Sequence, residues 1–321
     1  MYSHLNSTTF RQYSPKLKTM NSNITPIINA LESVVIGKTE QAKLAVCCLI
    51  SHGHLLIEDL PGMGKTTLSH ALATLFGLNY ARIQFTSDLL PADMLGANIF
   101  DVQKQKFVFH PGPIFSQVVL ADEINRASPK TQSALLEAME ESQVSLDGET
   151  HPLPEPFFVI ATQNPLHQAG TYPLPESQLD RFLMRITLGY PDWQAEKQML
   201  KNNQAPVLTA LANPQQLQQW QKAIDDVHVA DAIIDYVLRL VTHSRESGLY
   251  ANPLSPRASK AVLRAARAWA WIHARDYVVP EDIQQTFAAV AEHRLRLPNA
   301  DGELSQQISE QLLSAVDPLA A

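Results

Sequence analysis

The segment 55–67 constrains this chain most, because a short apolar run leads into a loop rich in Pro and Gly and then into Lys-Thr-Thr. Glycines at 62 and 64 let backbone N–H groups turn towards a ligand without a Cβ in the way. The following helix start carries partial positive charge, which favours phosphate. Lys65 is placed to reach β- and γ-phosphates, and Thr66 to ligate Mg²⁺. The residues predicted to bind a nucleoside triphosphate are Pro61, Gly62, Met63, Gly64, Lys65, Thr66 and Thr67.

The loop departs from the G-x-x-x-x-G-K-[ST] pattern at one position, where Asp59 replaces the first glycine. The later glycines approach phosphate most closely, so we expect the site to tolerate this change. If Asp59 alters the geometry of the loop, ATP affinity is the property that suffers. By itself the loop leaves a kinase, a GTPase and a motor open as functions.

The composition predicts a globular chain with two domains. Of its 321 residues, 45% are hydrophobic and 18% charged, which is typical of folded proteins. Residues 1–25 are polar and lack an apolar core, so we predict a disordered tail and no signal peptide. No apolar run is long enough to span a bilayer. The adjacent Cys47 and Cys48 exclude a disulfide framework, which favours a cytoplasmic location.

The order of apolar and amphipathic runs predicts an α/β core followed by helices only. We expect a five-stranded parallel sheet with flanking helices over residues 26–191, and a helical linker with a small all-α domain over 192–321. The predicted strands are 55–58, 80–85, 117–122, 157–161 and 185–188. The predicted later helices are 193–202, 214–226, 230–247, 256–274 and 280–295, with a short one near 305–316.

Two hairpins interrupt the predicted core. Short strand-like runs at 98–102 and 106–109 lie inside an insertion of the length that is usually functional. Asp147-Gly148 stands between two further strand-like runs and predicts a second hairpin. Residues 34–37 offer an apolar edge that either contacts an adenine base or packs beneath the sheet, and the sequence leaves both open.

Polar residues follow two of the predicted strands and complete a candidate site. Asp122 and Glu123 end an apolar strand, where Asp122 is suited to hold Mg²⁺ through water and Glu123 to activate or orient the attacking water. Asn164 follows the next strand and is suited to contact the γ-phosphate or that water. Arg257 lies in a helix first turn, where the dipole disfavours a cation unless an external anion is present. No His or Cys spacing predicts a metal centre.

Together these motifs resemble the MoxR family of AAA+ ATPases. The resemblance covers about residues 25–297 and rests on several motifs in the same order. They are 53–66 and 121–127, which correspond to Walker A and Walker B, then 161–165, 174–182 and 255–258.

The resemblance implies roles that spacing alone does not give. Asn164 resembles a sensor of the γ-phosphate, and Arg257 a second sensor donated by the helical lid. Arg181 resembles an arginine finger that reaches the ATP of a neighbouring subunit, and Arg126 is a candidate for the same interface. The segment 88–109 resembles the helix-2 insertion and 143–153 the pre-sensor-1 hairpin, which in related proteins line the pore of a ring.

The resemblance also implies ATP and Mg²⁺ as cofactors and a hexameric ring that remodels a protein client, with a von Willebrand factor A domain protein as partner. The nearest alternative is the ATPase subunit of a metal-chelatase-like complex. A DNA motor is disfavoured by the net charge of −7 and by the scarcity of basic residues in 98–109. A nucleotide-gated scaffold is disfavoured by the intact Asp122-Glu123 pair.

Overall fold

The computed structural model describes residues 24–164, 170–201, 206–296 and 307–318, and a mixed set of strands and helices alternates along them. The strands are β1 (Leu55–Glu58), β2 (Tyr80–Gln84), β3 (Gly96–Asp101), β4 (Lys106–Pro111), β5 (Val118–Asp122), β6 (Gln143–Leu146), β7 (Glu149–Pro152), β8 (Phe158–Gln163) and β9 (Met184–Ile186). The helices of the first part are α1 (Ile24–Val34), α2 (Thr39–Ile50), α3 (Lys65–Leu75), α4 (Pro91–Leu95), α5 (Pro129–Glu141) and α6 (Glu176–Leu179).

The sheet has the order β2-β5-β8-β1-β9, and every neighbouring pair of its strands is parallel. β1, β5 and β8 are buried along nearly their whole length, as expected for strands covered by helices on both faces. The five predicted strands and their parallel arrangement are confirmed, with boundaries that differ from the predicted ones by at most two residues. Since β8 lies between β5 and β1, the carboxyl ends of these three strands meet at one edge of the sheet.

Both predicted hairpins are present outside the main sheet. β3 pairs antiparallel with β4, from Gly96 opposite Pro111 to Asp101 opposite Lys106, and β6 pairs antiparallel with β7. Gly96 has a φ of +96°, and a Cβ there would lie 2.3 Å from the carbonyl oxygen of His110, so only glycine fits. The two hairpins touch each other, because the ring of Phe109 stacks on His151 with centroids 3.8 Å apart.

The part of the chain after residue 191 is helical, as predicted. Its helices are α7 (Trp193–Lys201), α8 (Pro214–Asp225), α9 (Asp231–Glu246), α10 (Pro256–Ile272), α11 (Pro280–Ala291) and α12 (Ile308–Ser314). α11 ends four residues earlier than predicted. The turn that follows it, 292–295, is buried. The Glu292 carboxylate in this turn accepts hydrogen bonds from the N–H groups of Ile308 and Ser309 at the start of α12.

One apolar cluster runs from one face of the sheet into these helices, so the two predicted regions share a core instead of each burying its own. Buried polar contacts reinforce the junction. The Gln221 side chain donates to the carbonyl oxygen of Leu49 at 3.0 Å, and the Cys47 thiol donates to that of Ala265 at 3.4 Å. A second cluster fills the other face of the sheet. The boundary at 191/192 stays a prediction, and residues 1–23 of the predicted tail lie outside the described residues.

Candidate functional site

The phosphate loop has the backbone that its glycines permit. Gly62 and Gly64 have φ values of +85° and +89°, and a Cβ on Gly62 would meet nothing within 4 Å, so conformation and not space requires glycine there. Lys65 begins α3 and is buried; its ammonium donates to the carbonyl oxygens of Asp59 at 2.7 Å and Leu60 at 3.2 Å. Burial lowers the pKa of Lys65, and the nearby Asp59, Asp122 and Glu123 oppose that shift.

Asp59, the departure from the motif, fastens the phosphate loop to the neighbouring strand. Its carboxylate is buried and accepts hydrogen bonds from the N–H groups of Leu188 at 2.7 Å and Gly189 at 2.6 Å, just after β9. It also accepts from the N–H of Leu60 at 2.9 Å. Asp59 therefore replaces glycine with a side chain that ties the loop to the segment after β9.

Asp122 ends β5, and each of its two carboxylate oxygens accepts a hydrogen bond. The hydroxyl of Thr162 donates to Oδ1 at 2.6 Å, and the guanidinium of Arg82 donates to Oδ2 at 2.6 Å. Thr162 also accepts from the N–H of Glu123 at 2.9 Å, so one residue of β8 fixes both members of the acidic pair.

Glu123 has a left-handed backbone, with a φ of +57°, which is rare for a residue with a side chain. Its carboxylate accepts from Asn164 Nδ2 at 3.1 Å and from Gln84 Nε2 at 3.0 Å. Arg126 pairs with the same carboxylate, with Nε 3.0 Å from Oε2. Arg126, predicted as a candidate for the subunit interface, thus contacts Glu123 of its own chain.

The residues around the loop fit a nucleotide with Mg²⁺. Thr66 is exposed in the first turn of α3, which follows β1, and Asp122 ends β5; both strands lie beside β8, so the two residues lie at the same edge of the sheet. Within the described residues, no group of three or more His, Cys, Asp or Glu forms a metal site without added ligands. Mg²⁺ takes most of its ligands from phosphates and water, so one hydroxyl and one carboxylate are enough protein ligands for it. We call Lys65, Asp122, Glu123 and Asn164 the phosphate half-site.

Val35 lies beside this loop, because a Cβ on Gly64 would come within 3.7 Å of its Cγ1. Val35 itself is buried in the core. The packing role of the 34–37 edge is therefore present, and contact with an adenine base stays a prediction.

Arg181 and Arg257 lie together in a second place. Arg181 Nη2 is 2.9 Å from Glu140 Oε2, and Arg257 Nη2 is 2.7 Å from Glu140 Oε1. The hydrogen bond from Arg257 lowers the pKa of Glu140, and the charge of Arg181 acts in the same direction. We call Glu140, Arg181 and Arg257 the arginine half-site. It borders a cleft of about 710 Å³ whose basic lining residues are Arg181, Lys222, Arg257, Lys260, Arg264 and Arg294.

Asp180 anchors the arginine half-site. It accepts from Arg294 Nε at 2.6 Å and from the hydroxyl of Ser255 at 3.3 Å. Ser255 is also the N-cap of α10, accepting from the N–H of Ala258 at 3.1 Å. The hydrogen bond between Asp180 and Ser255 thereby joins the segment that carries Arg181 to the start of α10, which carries Arg257.

The structure brings Lys65, Asp122, Glu123 and Asn164 together as predicted, but it does not bring Arg257 to them. Among the described residues, Arg181 and Arg257 form side-chain contacts with Glu140 and with none of the residues of the phosphate half-site. The cleft that they border is lined by no residue of the phosphate loop.

Sequence reasoning missed Arg82, Gln84, Thr162 and Glu140. A signal existed for Gln84 and Thr162, since Gln84 stands opposite Asp122 in the parallel register of β2 and β5, and Thr162 directly follows the predicted strand 157–161. Polar side chains at the carboxyl ends of parallel strands are candidates for a ligand site. Glu140 had no such signal, because an exposed Glu near a helix end is common.

Comparisons with known proteins agree with this geometry. Residues 54–184 match the family model described as "ATPase family associated with various cellular activities (AAA)", and residues 243–312 match that of the AAA lid domain. The fold and the matched family models define the class of AAA+ ATPases. The chain belongs to the MoxR family of that class.

The relatives support this assignment over most of their length. The chain is 37% identical to the chaperone MoxR1 of Mycobacterium tuberculosis, with 88% of this chain and 78% of the relative aligned. It is 43% identical to the uncharacterized protein YeaC of Bacillus subtilis, over 90% and 92% of the two chains. A crystal structure of a protein assigned as an ATPase from Cytophaga hutchinsonii matches with a TM-score of 0.85 and 36% identity, covering 94% of this chain and 96% of that one.

Within the described residues, no helix combines the length and apolarity needed to cross a membrane.

Proposed function

We propose that this chain binds and hydrolyses ATP, with Mg²⁺, at the phosphate half-site. Lys65 binds the β- and γ-phosphates, and the loop N–H groups of residues 61–67 cradle them. Thr66 and Asp122 would hold Mg²⁺, partly through water, and the ion would neutralise charge on the phosphate oxygens. Glu123 orients and activates the attacking water, and Asn164 positions Glu123 and the γ-phosphate.

We also propose that the active enzyme is a hexameric ring in which ATP lies between two subunits. One observation carries this proposal: Arg181 and Arg257 pair with Glu140 instead of reaching the phosphate half-site. Two cations on an exposed carboxylate are suited to meet the triphosphate of a neighbour. In a ring of head-to-tail contacts, each arginine half-site would complete the phosphate half-site of the next subunit.

The client in this proposal is a protein or protein complex, remodelled as the ring turns over ATP. The tip of the β3–β4 hairpin supports this choice, because Phe100 is 50%, Phe107 68% and Val102 78% exposed. Exposed apolar patches of this kind mark contacts with proteins more often than with DNA, whose phosphates need cations. The similarity to a chaperone points the same way. A partner with a von Willebrand factor A domain, inferred from the family resemblance, belongs to the same proposal.

The test is ATP turnover per subunit as a function of protein concentration, with the assembly state measured by light scattering. Turnover should rise as rings form. An equimolar mixture of Lys65→Ala and Arg181→Ala should be active although each variant alone is not, because one subunit supplies the loop and the next supplies the arginine. Full activity in a monomeric preparation, or no recovery in a mixture that assembles, would contradict the shared site.

A further inference from the structure

We infer that Glu140 is a positioning residue for ATP hydrolysis, holding Arg181 and Arg257 as a pair that acts on the nucleotide of a neighbouring subunit. This inference rests on the proposed shared site. Glu140 belongs to none of the sequence motifs described above.

The geometry of the pair is the first argument. Each carboxylate oxygen of Glu140 takes one terminal nitrogen of a different arginine, at 2.9 Å and 2.7 Å. The three residues come from three elements: α5, the segment before β9, and the first turn of α10. A single carboxylate therefore fixes the distance between two guanidinium groups that no continuous element links.

The electrostatics of the pair is the second argument. Two guanidinium groups repel each other, and each of the cations Arg294, Lys260 and Arg264 borders the same cleft. Glu140 supplies the negative charge between the two arginines. With an amide in its place, the repulsion is no longer compensated and the side chains separate.

Arg181 and Arg257 also keep N–H donors that Glu140 does not use. Each arginine gives Glu140 a terminal nitrogen, and a guanidinium has five N–H donors in a planar fork. Arg181 is 27% and Arg257 49% exposed at the side chain, so both have surface left for a ligand while they keep the carboxylate. A triphosphate presented by a neighbour would meet two oriented cations.

The experiment compares Glu140→Gln and Glu140→Asp with wild type and with Glu137→Gln, an exposed residue one turn earlier on α5. Saturated turnover should fall about ten- to a hundredfold in Glu140→Gln, the loss typical of a misplaced catalytic group. The Kd for a fluorescent ATP analogue and the ring size should stay unchanged. Glu140→Asp retains the charge and should recover part of the turnover, and Glu137→Gln should match wild type.

Mixing experiments locate the defect. Glu140→Gln should be rescued by Lys65→Ala, which supplies an intact arginine half-site, and random mixing places the two in the productive order at about a quarter of the ring contacts. It should not be rescued by Arg181→Ala, since both variants damage the same half.

Two outcomes overturn the inference and leave the shared site intact. One is wild-type turnover in Glu140→Gln, and the other is rescue by Arg181→Ala but not by Lys65→Ala. The shared site itself fails separately, if Lys65→Ala and Arg181→Ala assemble together without recovering activity.

Discussion

The phosphate half-site and the arginine half-site differ in burial. Lys65, Asp122 and Asn164 are buried and the Glu123 side chain is 23% exposed, whereas the side chains of Arg181, Glu140 and Arg257 are 27%, 36% and 49% exposed. The buried half has its geometry fixed within one chain. The ion pairs of the exposed half contribute little to stability in water, since surface ion pairs are worth about 0–1 kcal/mol. Their electrostatic interactions become strong only when another surface excludes water from them. The contrast agrees with the proposed function, in which the phosphate half-site binds nucleotide and the arginine half-site of a neighbour completes it.

The largest expected effect comes from removing the arginine half. In Arg181→Ala, turnover in assembled rings should fall about 10³- to 10⁵-fold, the loss typical of an arginine finger. ATP binding should be retained, because Arg181 does not contact the phosphate half-site. Phosphate release and a fluorescent nucleotide titration measure the two effects. The control is Lys130→Ala, which removes an exposed cation at the start of α5. A loss of turnover below about tenfold in Arg181→Ala would show that Arg181 is not an arginine finger.

A smaller effect on turnover is expected from a substitution in the phosphate half-site. Glu123→Gln should lower turnover about 10²- to 10⁴-fold, because the amide cannot accept a proton from water. The variant should still bind ATP, since Lys65 and the loop are untouched. A pull-down with this variant in the presence of ATP is also the direct way to identify the client. Turnover near wild type would mean that another residue activates the water.

At the arginine half-site, the buried anchor Arg294 and the exposed Arg257 can be compared through stability. Arg294→Leu should lower the free energy of unfolding by about 3–5 kcal/mol, because it leaves Asp180 and several buried carbonyl groups without their cation. The buried Arg294 donates to the carbonyl oxygens of Phe182 at 2.7 Å and Leu183 at 3.2 Å as well as to Asp180. Urea unfolding measures the loss. Arg257→Leu, at the exposed pair, should cost less than about 1 kcal/mol, and equal losses would erase the contrast.

The smallest effect is expected at the anchor of the phosphate loop. Asp59→Ala removes the acceptor of three N–H groups and should destabilise the chain by about 1–3 kcal/mol. ATP affinity should fall with it, since Asp59 ties the loop to the end of β9. Thermal unfolding and nucleotide titration check the two parts. Unchanged affinity would show that the loop keeps its geometry without this tie.

Much of the fold was predictable because its signals are local. A few adjacent residues are enough to predict each element. Examples are the apolar run before Pro61, the amphipathic pattern of α3 and the Ser-Pro starts of α5 and α10. The members of the phosphate half-site were predictable for a related reason. Each follows a recognisable strand or loop, and parallel strands bring such ends together.

The placement of Arg257 was not predictable, because it depends on how the C-terminal helices pack against the sheet. That packing is set by contacts between distant residues, such as Gln221 with Leu49 and Arg294 with Asp180, which leave no periodic trace in the sequence. The same holds for Glu140, whose partners are 41 and 117 positions away. The strand-end residue Gln84 was an intermediate case, because the parallel register of β2 and β5 places it opposite Asp122.

The shared core has a mechanical consequence. A hinge between the sheet and the C-terminal helices would have to open the continuous cluster that contains Leu49, Trp271 and Val290, exposing apolar surface to water. In the proposed ring, such a subunit would move as one body, and the motion would occur at the contacts between neighbouring subunits. Nucleotide bound at such a contact would set the angle between neighbours, and the hairpin tips would move with each subunit as that angle changed.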